Sequence, residues 1–249
     1  MSKRFDLFLA VLLALGFAAI WPVAAAAQYI EAEVVVDAAS RSAAVKGKFL
    51  SSGRRTLSFT LSAIGAPELG RRITGVELHG PDGGPIAFRS FNQAEYVAEK
   101  DLAGFRYKIA LEPFRDPRSA AHASWIADDA GLLYLDDILP NPTAAGPRSA
   151  SLTLHMPAGW TAVTTEAANS GVYRVENVER TVFTIGKGIR RAAVRGKRPG
   201  LDLALSGSWF FTDDEARETA AEIYREYLRI FGSGPDGEML IVILPMPQP

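Results

Sequence analysis

The sequence predicts a mainly β protein, in which a β-sandwich or curved-sheet N-terminal domain is followed by one helix and one strand. Three observations support this fold class. Short runs that alternate apolar and polar residues continue from Tyr29 to about Gly207, interrupted by glycine, proline, aspartate and serine. A helical pattern begins only after Trp209, and a continuous apolar run follows it. Alternation with a period of two is typical of half-buried antiparallel strands.

The first 27 residues have the pattern of an export signal. Lys3 and Arg4 supply the positive start, Leu7–Trp21 is apolar, and Ala24–Ala27 supplies the small residues that a signal peptidase requires. We expect cleavage at this point and a periplasmic or secreted mature chain with no membrane segment. The alternative is an uncleaved anchor, because the apolar stretch and the alanines that follow it approach the length of a bilayer span.

The composition of the chain excludes several classes of function. It has 27 basic and 28 acidic residues and a formal net charge of -1, so it has no bulk attraction for nucleic acid or an anionic membrane. It has no cysteine, which excludes disulfides, thiolate metal sites and a cysteine nucleophile. An exported protein without disulfides depends on its core for stability, and we expect that core in a β-rich domain over residues 28–207.

Eight segments of this first domain are predicted to be strands. The clearest is Phe105–Leu111, in which four apolar residues alternate with Arg106, Lys108 and Ala110. The others are Ile30–Val36, Thr56–Ser62, Ile73–His79, Leu152–Met156, Val172–Val175, Thr181–Ile185 and Leu201–Leu205. The stretch Asn141–Arg148, with two prolines and a glycine, is predicted to be a surface connection.

Residues 208–249 are predicted to form a second unit. Thr212 and Glu215 have the spacing of a capping box, so we expect a helix from there to about Phe231. Its predicted core-facing stripe consists of Ala216, Ala220, Ile223, Tyr227 and Ile230. Met239–Leu244 is a continuous apolar run, which predicts a strand buried on both faces.

The sequence contains few side chains suited to catalysis or metal binding. The three histidines, His79, His122 and His155, lack the i, i+4 spacing of a zinc-binding helix. We expect His79 and His155 to end strands and His122 to be exposed, with the lining of a groove as the alternative for His122.

Charged clusters have structural interpretations. The adjacent pairs Asp128–Asp129 and Asp136–Asp137 are not predicted to be acid–base dyads, because neighbouring residues of a strand point to opposite faces. Asp213–Asp214 opposes the dipole at the start of the helix. The basic run Lys187–Arg198 is interpreted as a solvated connection between strands, with binding of an anionic partner as the alternative.

Five short segments carry a family resemblance. They are Phe88–Gln93, Asp129–Pro140, Pro157–Trp160, Leu205–Phe210 and the helix end Tyr227–Gly232 with Pro235 beyond it. Together they resemble the N-terminal region of the M61 family of glycyl-aminopeptidase-like metallopeptidases, over about residues 30–249. The resemblance implies a β-rich N-terminal domain followed by the start of a thermolysin-like α/β domain.

In that family an H-E-x-x-H helix and a downstream glutamate hold zinc, and the glutamate of the motif serves as general base. The sequence ends before the position at which this motif would follow. We therefore assign no catalytic, cofactor-binding or metal-binding residue to this chain, and we expect zinc only in a full-length relative.

These observations predict an exported, catalytically incomplete relative of the M61-type zinc aminopeptidases, which is no enzyme by itself. We expect it to contact peptide or protein through an open sheet edge of its β domain. The alternative is a stand-alone periplasmic binding or interaction module with no peptidase role. A glycan-binding sandwich would rest on Trp125, Trp160 and Trp209, but core packing explains these residues better.

Overall fold

The computed structural model describes residues 28–51, 53–141, 148–194, 200–234 and 238–247, so the predicted export signal lies outside it. In chain order the strands are β1 (Gln28–Asp37), β2 (Ser42–Phe49), β3 (Arg54–Ser58), β4 (Ile73–His79), β5 (Phe88–Asn92), β6 (Glu95–Leu102), β7 (Gly104–Ala110), β8 (Trp125–Ala127), β9 (Ala130–Tyr134), β10 (Arg148–His155), β11 (Trp160–Val163), β12 (Ala167–Asn169), β13 (Val172–Val175), β14 (Val182–Lys187), β15 (Arg190–Val194), β16 (Leu201–Leu205) and β17 (Met239–Ile243). The α-helices are α1 (Leu135–Ile138) and α2 (Asp213–Phe231), and short 3-10 helices cover Leu69–Arg72 and Pro117–Ala121.

The strands form four sheets, which confirms the predicted mainly β fold class. The large sheet has the order β12-β13-β10-β1-β2-β7-β4, and only its β1–β10 pair is parallel. The four-stranded sheet (β11-β14-β9-β8) and the lateral sheet (β3-β6-β5) are antiparallel. The C-terminal sheet has the order β15-β16-β17, and β17 runs parallel to β16.

One large apolar core connects the first three sheets. It contains Ile30 of β1, Phe105 of β7, Leu57 of β3, Phe183 of β14 and Ile138 of α1, all of them buried. Full burial of one such side chain contributes about 1.5–3 kcal/mol relative to exposure. The apolar residues of the alternating sequence pattern therefore form the inner faces of these sheets.

Strand β2 is absent from the predicted strands, because its sequence Ser-Ala-Ala-Val-Lys-Gly-Lys-Phe has little alternation of large apolar residues. The structure shows why a glycine fits there. A Cβ at Gly47 would lie 2.6 Å from the Phe105 ring and 2.6 Å from the carbonyl oxygen of Glu31. The ring of Phe105 thus fills the space that a side chain at Gly47 would occupy.

Several predicted boundaries differ from the structure. β4, β13 and β16 match their predictions at both ends, whereas the strand predicted over Thr56–Ser62 is β3, Arg54–Ser58. Beyond Ser58, the Thr60 hydroxyl donates a hydrogen bond to Asp136 O of α1 at 3.0 Å.

The interpretation of the basic run as a connection is wrong for residues 190–194. They form β15, where Arg190 Nε lies 2.8 Å from Asp213 and Arg191 pairs with Asp202. Acidic neighbours on α2 and β16 therefore compensate these charges. Residues 195–199 of the same run, and residues 142–147 of the predicted surface connection, lie outside the described residues.

Helix α2 begins and ends as predicted, but three of the five residues in its predicted stripe, Ile223, Tyr227 and Ile230, are exposed. The Thr212–Glu215 capping box is present, and Gly232 ends the helix with φ +75°. Ala220 is buried against the C-terminal sheet, whereas Ile223 and Ile230 are 62% and 64% exposed. The helix packs over β15 and β16 through Ala216, Ala220, Ala221 and Tyr224, so the rest of the predicted stripe extends past the sheet. β17 is half-buried, although burial on both faces is predicted.

Candidate functional site

A groove separates the four-stranded sheet from the C-terminal strand. We call it the junction groove; its volume is about 680 Å³. One wall comes from the four-stranded sheet and the turn before it, the other from β17 and the residues after it. Its lining includes His122, Trp125, Leu132, Tyr134, Val182, Leu240, Val242 and Leu244.

The walls of the junction groove are mainly apolar. Trp125 and Leu132 are buried in a cluster against which Val182, Val242 and Leu244 pack. Even-numbered residues of β17 face this groove, while Ile241 and Ile243 face α2. The groove is therefore an incompletely filled contact between the predicted β domain and the second unit.

The two aromatic side chains of the groove are held by the 3-10 helix beside it. Trp125 Nε1 donates to Ala120 O at 2.9 Å, and the Tyr134 hydroxyl donates to Ala121 O at 2.7 Å. Burial raises the pKa of Tyr134, and the negative charge of Asp137 raises it further, so the phenol stays protonated at neutral pH. The two rings consequently have fixed positions before any ligand arrives.

A buried polar network lies behind these rings. The Asp137 carboxylate accepts hydrogen bonds from Ser124 N at 2.7 Å, from Arg72 Nη2 at 3.0 Å and from the Ser124 hydroxyl. Ser124 Oγ in turn accepts from Tyr134 N at 2.7 Å. Because Trp125 follows Ser124 directly, this network fixes the start of β8 and the end of β9, and with them the positions of the Trp125 and Tyr134 side chains.

The neighbouring carboxylate serves a second buried arginine. Arg148, at the start of β10, is almost fully buried and pairs with Asp136, with Glu179 at 3.1 Å and with Pro140 O at 3.2 Å. Asp136 and Asp137 thus diverge from one helical turn to different partners. The two carboxylates thus have separate partners, and they lie on α1 and not on the strand that the prediction assumed.

The three histidines, whose positions were open to prediction, lie in separate parts of the structure. His79 ends β4 and His155 ends β10, as predicted, with imidazole nitrogens 3.8 Å from Glu77 and 3.2 Å from Glu33. His122 is exposed and also lines the junction groove, so both expectations for it hold.

The metal that the M61 resemblance implies is zinc, which proteins hold with three or four nitrogen, oxygen or sulfur ligands. Within residues 28–51, 53–141, 148–194, 200–234 and 238–247, no three histidine, aspartate or glutamate side chains come close enough to hold a metal ion. The described residues therefore do not fit a zinc ion.

A second concavity, of about 670 Å³, lies on the outer face of the large sheet. Its charges pair across β1 and β2: Lys46 Nζ lies 2.6 Å from Glu33, and Lys48 Nζ lies 2.6 Å from Glu31. The hydrogen bond from Lys46 lowers the pKa of Glu33. Because these charges compensate each other, the surface presents little free charge to a ligand, and the junction groove is the better candidate.

The tryptophans support the packing interpretation for two of three positions. Trp125 and Trp160 are buried, whereas Trp209 is partly exposed and stacks on Phe211 with ring centroids 5.6 Å apart. Sequence reasoning marked His122 and Trp125 but did not place Tyr134 or the residues of β17 beside them. Nothing in the sequence spacing indicates that two segments more than 100 residues apart face each other.

Comparison with known proteins gives a fold and no closer relationship. No protein family model and no curated protein matches the sequence. The structure is similar to the aminopeptidase N family protein of Idiomarina loihiensis, with a TM-score of 0.73 and 13% identity over 86% of this chain. The chain has a metallopeptidase-like fold. It is also similar to the M1 zinc metallopeptidase of Deinococcus radiodurans, with a TM-score of 0.50 and 11% identity over 90% of this chain.

The chain spans 39% of the Idiomarina protein and 57% of the Deinococcus protein. The predicted metallopeptidase resemblance is thereby confirmed at the level of the fold. The finer assignment to M61, and any activity, belong to the proposal that follows.

Proposed function

We propose that this chain is an exported, catalytically incomplete relative of M61-type zinc aminopeptidases, and that its β domain contacts peptide in the junction groove. The observation that supports the proposal is the fold similarity to the aminopeptidase N family protein of Idiomarina loihiensis, which covers 86% of this chain. In this proposal zinc chemistry belongs to a full-length relative. The chain contributes the surface beside which a peptide lies.

The chemistry of the junction groove supports a peptide as ligand. Its volume of about 680 Å³ is within the range of small-ligand pockets, and its apolar walls suit the side chains of a short peptide. Trp125 and Tyr134 are already held by hydrogen bonds, so binding orders few further side chains. His122 stands at the rim, where it is able to meet a polar backbone group.

A labelled glycyl-leucyl-phenylalanyl-leucine amide tests this site by fluorescence anisotropy. Leu244→Ser removes apolar contact area from one wall, and we expect it to weaken binding about fivefold, which corresponds to about 1 kcal/mol. Leu61→Ser is the matched control, because Leu61 is exposed and lies outside the groove. Equal peptide affinities of the two variants would contradict binding of the peptide in the junction groove.

The proposal makes a prediction about metal content. Purified protein, dialysed after equilibration with zinc, should contain far less than one zinc per chain by elemental analysis, because the described residues form no ligand set. One retained zinc per chain would contradict catalytic incompleteness. Hydrolysis of aminoacyl anilides, measured in parallel, should stay at the buffer rate.

Export has its own test. No helix among the described residues is long and apolar enough to cross a membrane. The intact mass of the native protein from the envelope fraction should correspond to residues 28–249. A mass that includes residues 1–27 would indicate a retained anchor, and a much larger mass would indicate an enzyme with a catalytic half.

A stand-alone binding module is the second candidate, and one observation favours it. β17 is hydrogen-bonded along β16, and one of its faces packs on the four-stranded sheet, so the C-terminal strand has a place in the fold. If the chain is self-sufficient, limited proteolysis should leave residues 208–249 intact. Rapid trimming of this segment would favour the first candidate.

A further inference from the structure

The described chain passes only once between the first three sheets and the C-terminal sheet. Residues 28–187 contain the large, four-stranded and lateral sheets, and we call them the β body. Residues 190–247 contain β15, β16, α2 and β17, and we call them the C-terminal body. The connecting pair, Gly188 and Ile189, lies between β14 and β15 and belongs to neither strand. Any movement of one body relative to the other therefore passes through this pair.

The residues on either side of the connecting pair are fixed, each to a different body. Lys187 N donates to Asp129 O at 2.8 Å, and Lys187 Nζ lies 2.7 Å from the Asp129 carboxylate, so this side belongs to the β body. Arg190 Nη1 donates to Gly207 O at 3.0 Å, and Arg190 Nε donates to Asp213 at 2.8 Å, so the other side belongs to the C-terminal body. The transition between the bodies is thus confined to two residues.

Gly188 has the backbone freedom that a hinge requires. Its φ is +60°, in the region that favours glycine, and nothing lies within 4 Å of the position that an added Cβ would take. Gly186 differs, because a Cβ added there would lie 2.4 Å from Asp129 O, so close packing surrounds it. Gly188 is therefore able to change its dihedral angles without a clash, as hinge residues do.

The contact between the two bodies is apolar and small. From the C-terminal body, Val242 and Leu244 pack against the cluster that contains Trp125 and Leu132. Among the described residues, no hydrogen bond, strand pair or ion pair joins the two bodies. The junction groove, of about 680 Å³, leaves the contact incompletely filled. Separation of such surfaces breaks no directional bond and loses few dispersion contacts.

Each body is held together separately. The C-terminal body has its own apolar cluster, which includes Leu203, Leu205 and Ala220, and the ion pair of Arg190 with Asp213 joins β15 to α2. The β body encloses the large core. Two parts with separate cores and a small mutual contact are expected to move as units about the segment that connects them.

From these observations we propose that the C-terminal body swings as one unit about Gly188 and Ile189, and that this movement opens and closes the junction groove. In the closed state Val242 and Leu244 lie on the four-stranded sheet, as in the structure described above. In the open state they leave this sheet, and the groove widens. The inference goes beyond the proposed function, because the hinge operates whether or not a peptide is the ligand.

Distances between pairs of spin labels measure this movement in the purified full chain. The chain has no cysteine, so labels attach only where one is introduced. Arg115→Cys with Glu218→Cys spans the two bodies, Arg115→Cys with Glu99→Cys lies within the β body, and Glu218→Cys with Glu238→Cys lies within the C-terminal body. All four positions are exposed.

We expect the distance distribution of the spanning pair to be at least about twice as wide as those of the other two pairs. A spanning pair as narrow as the pair within the β body would overturn the hinge. A pair within the C-terminal body as wide as the spanning pair would also overturn it, because that body would then unfold and not swing.

A glycine variant tests the position of the hinge. Valine at position 188 does not tolerate φ +60°, so Gly188→Val should shift the mean distance of the spanning pair by at least about 5 Å. Gly159→Val is the matched control, because Gly159 is an exposed glycine of the β body with φ +78° and open space around it. It should leave the spanning distance unchanged. Equal distances in the two variants would overturn the position of the hinge.

A second variant tests the contact that closes the groove. Val242→Ser should raise the ratio of open to closed populations about fivefold, because it removes apolar contact area from the closed state. Ile230→Ser is the control, because Ile230 is exposed on α2. An unchanged ratio in Val242→Ser would overturn the role of this contact. If a variant fails to fold, the three label pairs in the otherwise unchanged chain still decide whether the body swings.

The peptide glycyl-leucyl-phenylalanyl-leucine amide separates this inference from the proposed function. A ligand that contacts both walls of the junction groove favours the closed state, so a saturating concentration should narrow the distribution of the spanning pair. A wide distribution that the peptide leaves unchanged would contradict the proposed function and support the hinge. A distribution that is narrow with and without peptide would overturn the hinge, while peptide binding measured by anisotropy would still support the proposed function.

Discussion

Asp137 joins three separate segments of the chain through one buried carboxylate. It bonds to Arg72 before β4 and to Ser124 before β8, and it lies on α1. The guanidinium of Arg72 also lies over the Phe114 ring, 5.4 Å from its centroid. A buried ion pair of this kind adds little net stability over an apolar replacement, but the loss of one partner leaves an uncompensated charge in the interior.

Asp137→Ala should therefore lower the free energy of unfolding by about 3–5 kcal/mol, because Arg72 keeps its charge in a buried position. Urea denaturation, followed by circular dichroism, measures this loss. Arg118→Met should cost much less, because Arg118 pairs with Asp116 at the surface. The double variant Arg72→Met with Asp137→Leu should cost less than the sum of the single changes. If Asp137→Ala lowers the free energy of unfolding no more than Arg118→Met does, Asp137 does not hold the three segments together.

Among the elements, β2 depends on a glycine in a sheet interior. A Cβ at Gly47 would contact both the Phe105 ring and the backbone of Glu31 at 2.6 Å, whereas a Cβ at Gly104 of β7 would lie 3.4 Å from Gly47 O. The first distance is a clash and the second is ordinary contact.

Gly47→Ala should destabilise the protein by about 1–3 kcal/mol, since overpacking forces a shift of the Phe105 ring or of β1. Gly104→Ala is the matched control, and we expect a change below about 0.5 kcal/mol. Thermal unfolding of both variants provides the comparison. Equal melting temperatures would mean that the ring moves aside without cost.

The capping box of α2 gives this element a pH dependence. The backbone N–H of Thr212 donates to Glu215 and lowers the pKa of its carboxyl group. A carboxyl whose folded pKa lies below its unfolded value stabilises the fold above the unfolded pKa, and this contribution disappears as the pH falls through the folded pKa.

Glu215→Ala should thus reduce the melting temperature at neutral pH, and the difference from the parent chain should disappear as the pH falls through the lowered folded pKa of Glu215. Glu218→Ala changes a glutamate of the same helix that is not part of the capping box, and it should show a smaller difference at neutral pH. Melting curves across this pH range provide the measurement. A difference for Glu215→Ala that persists unchanged in acid would indicate a packing effect.

Sequence pattern predicts these elements unevenly, for physical reasons. The capping box and Gly232 mark α2 because helix ends are governed by local hydrogen bonds. The buried face of α2 is different, since it depends on where β15 and β16 lie. Helical spacing therefore predicts burial of Ile223, Tyr227 and Ile230, which the structure leaves exposed. β2 is not predicted because the ring that fills the space beside its Gly47 belongs to Phe105, which lies far along the chain.

Across the whole molecule, two apolar clusters differ greatly in extent. The large core connects three sheets, whereas the cluster under α2 has five buried residues, Val194, Leu201, Leu203, Leu205 and Ala220. Local stability follows the extent of buried apolar contact. The C-terminal sheet and α2 are therefore the part of the described structure that should open first.

Hydrogen exchange should show this order. Amides of β1 and β2 should be protected at least about 100-fold more strongly than those of β17 and the last turns of α2, because the former open only with the whole domain. Mass spectrometry of exchanged peptides resolves the two regions. Equal protection in both would mean that the protein unfolds as one cooperative unit.

The candidate site is a property of the whole molecule, and this is why the sequence predicts elements of both walls but not their contact. His122 and Trp125 stand out as isolated side chains in an irregular stretch, and the apolar run of β17 is evident by itself. Their proximity follows from the packing of Val242 and Leu244 on the four-stranded sheet. The periodicity of either segment does not show which distant segment it contacts.

The parallel pairing of β1 with β10 has a consequence for biosynthesis. β1 is in the middle of the large sheet, yet Gln28 pairs with Arg148, so one flank of β1 stays open until the ribosome has made β10. Pairing across such a long separation slows folding, because the loop must close before the contact forms. For the exported precursor proposed above, this delay would keep the chain unfolded for longer before translocation.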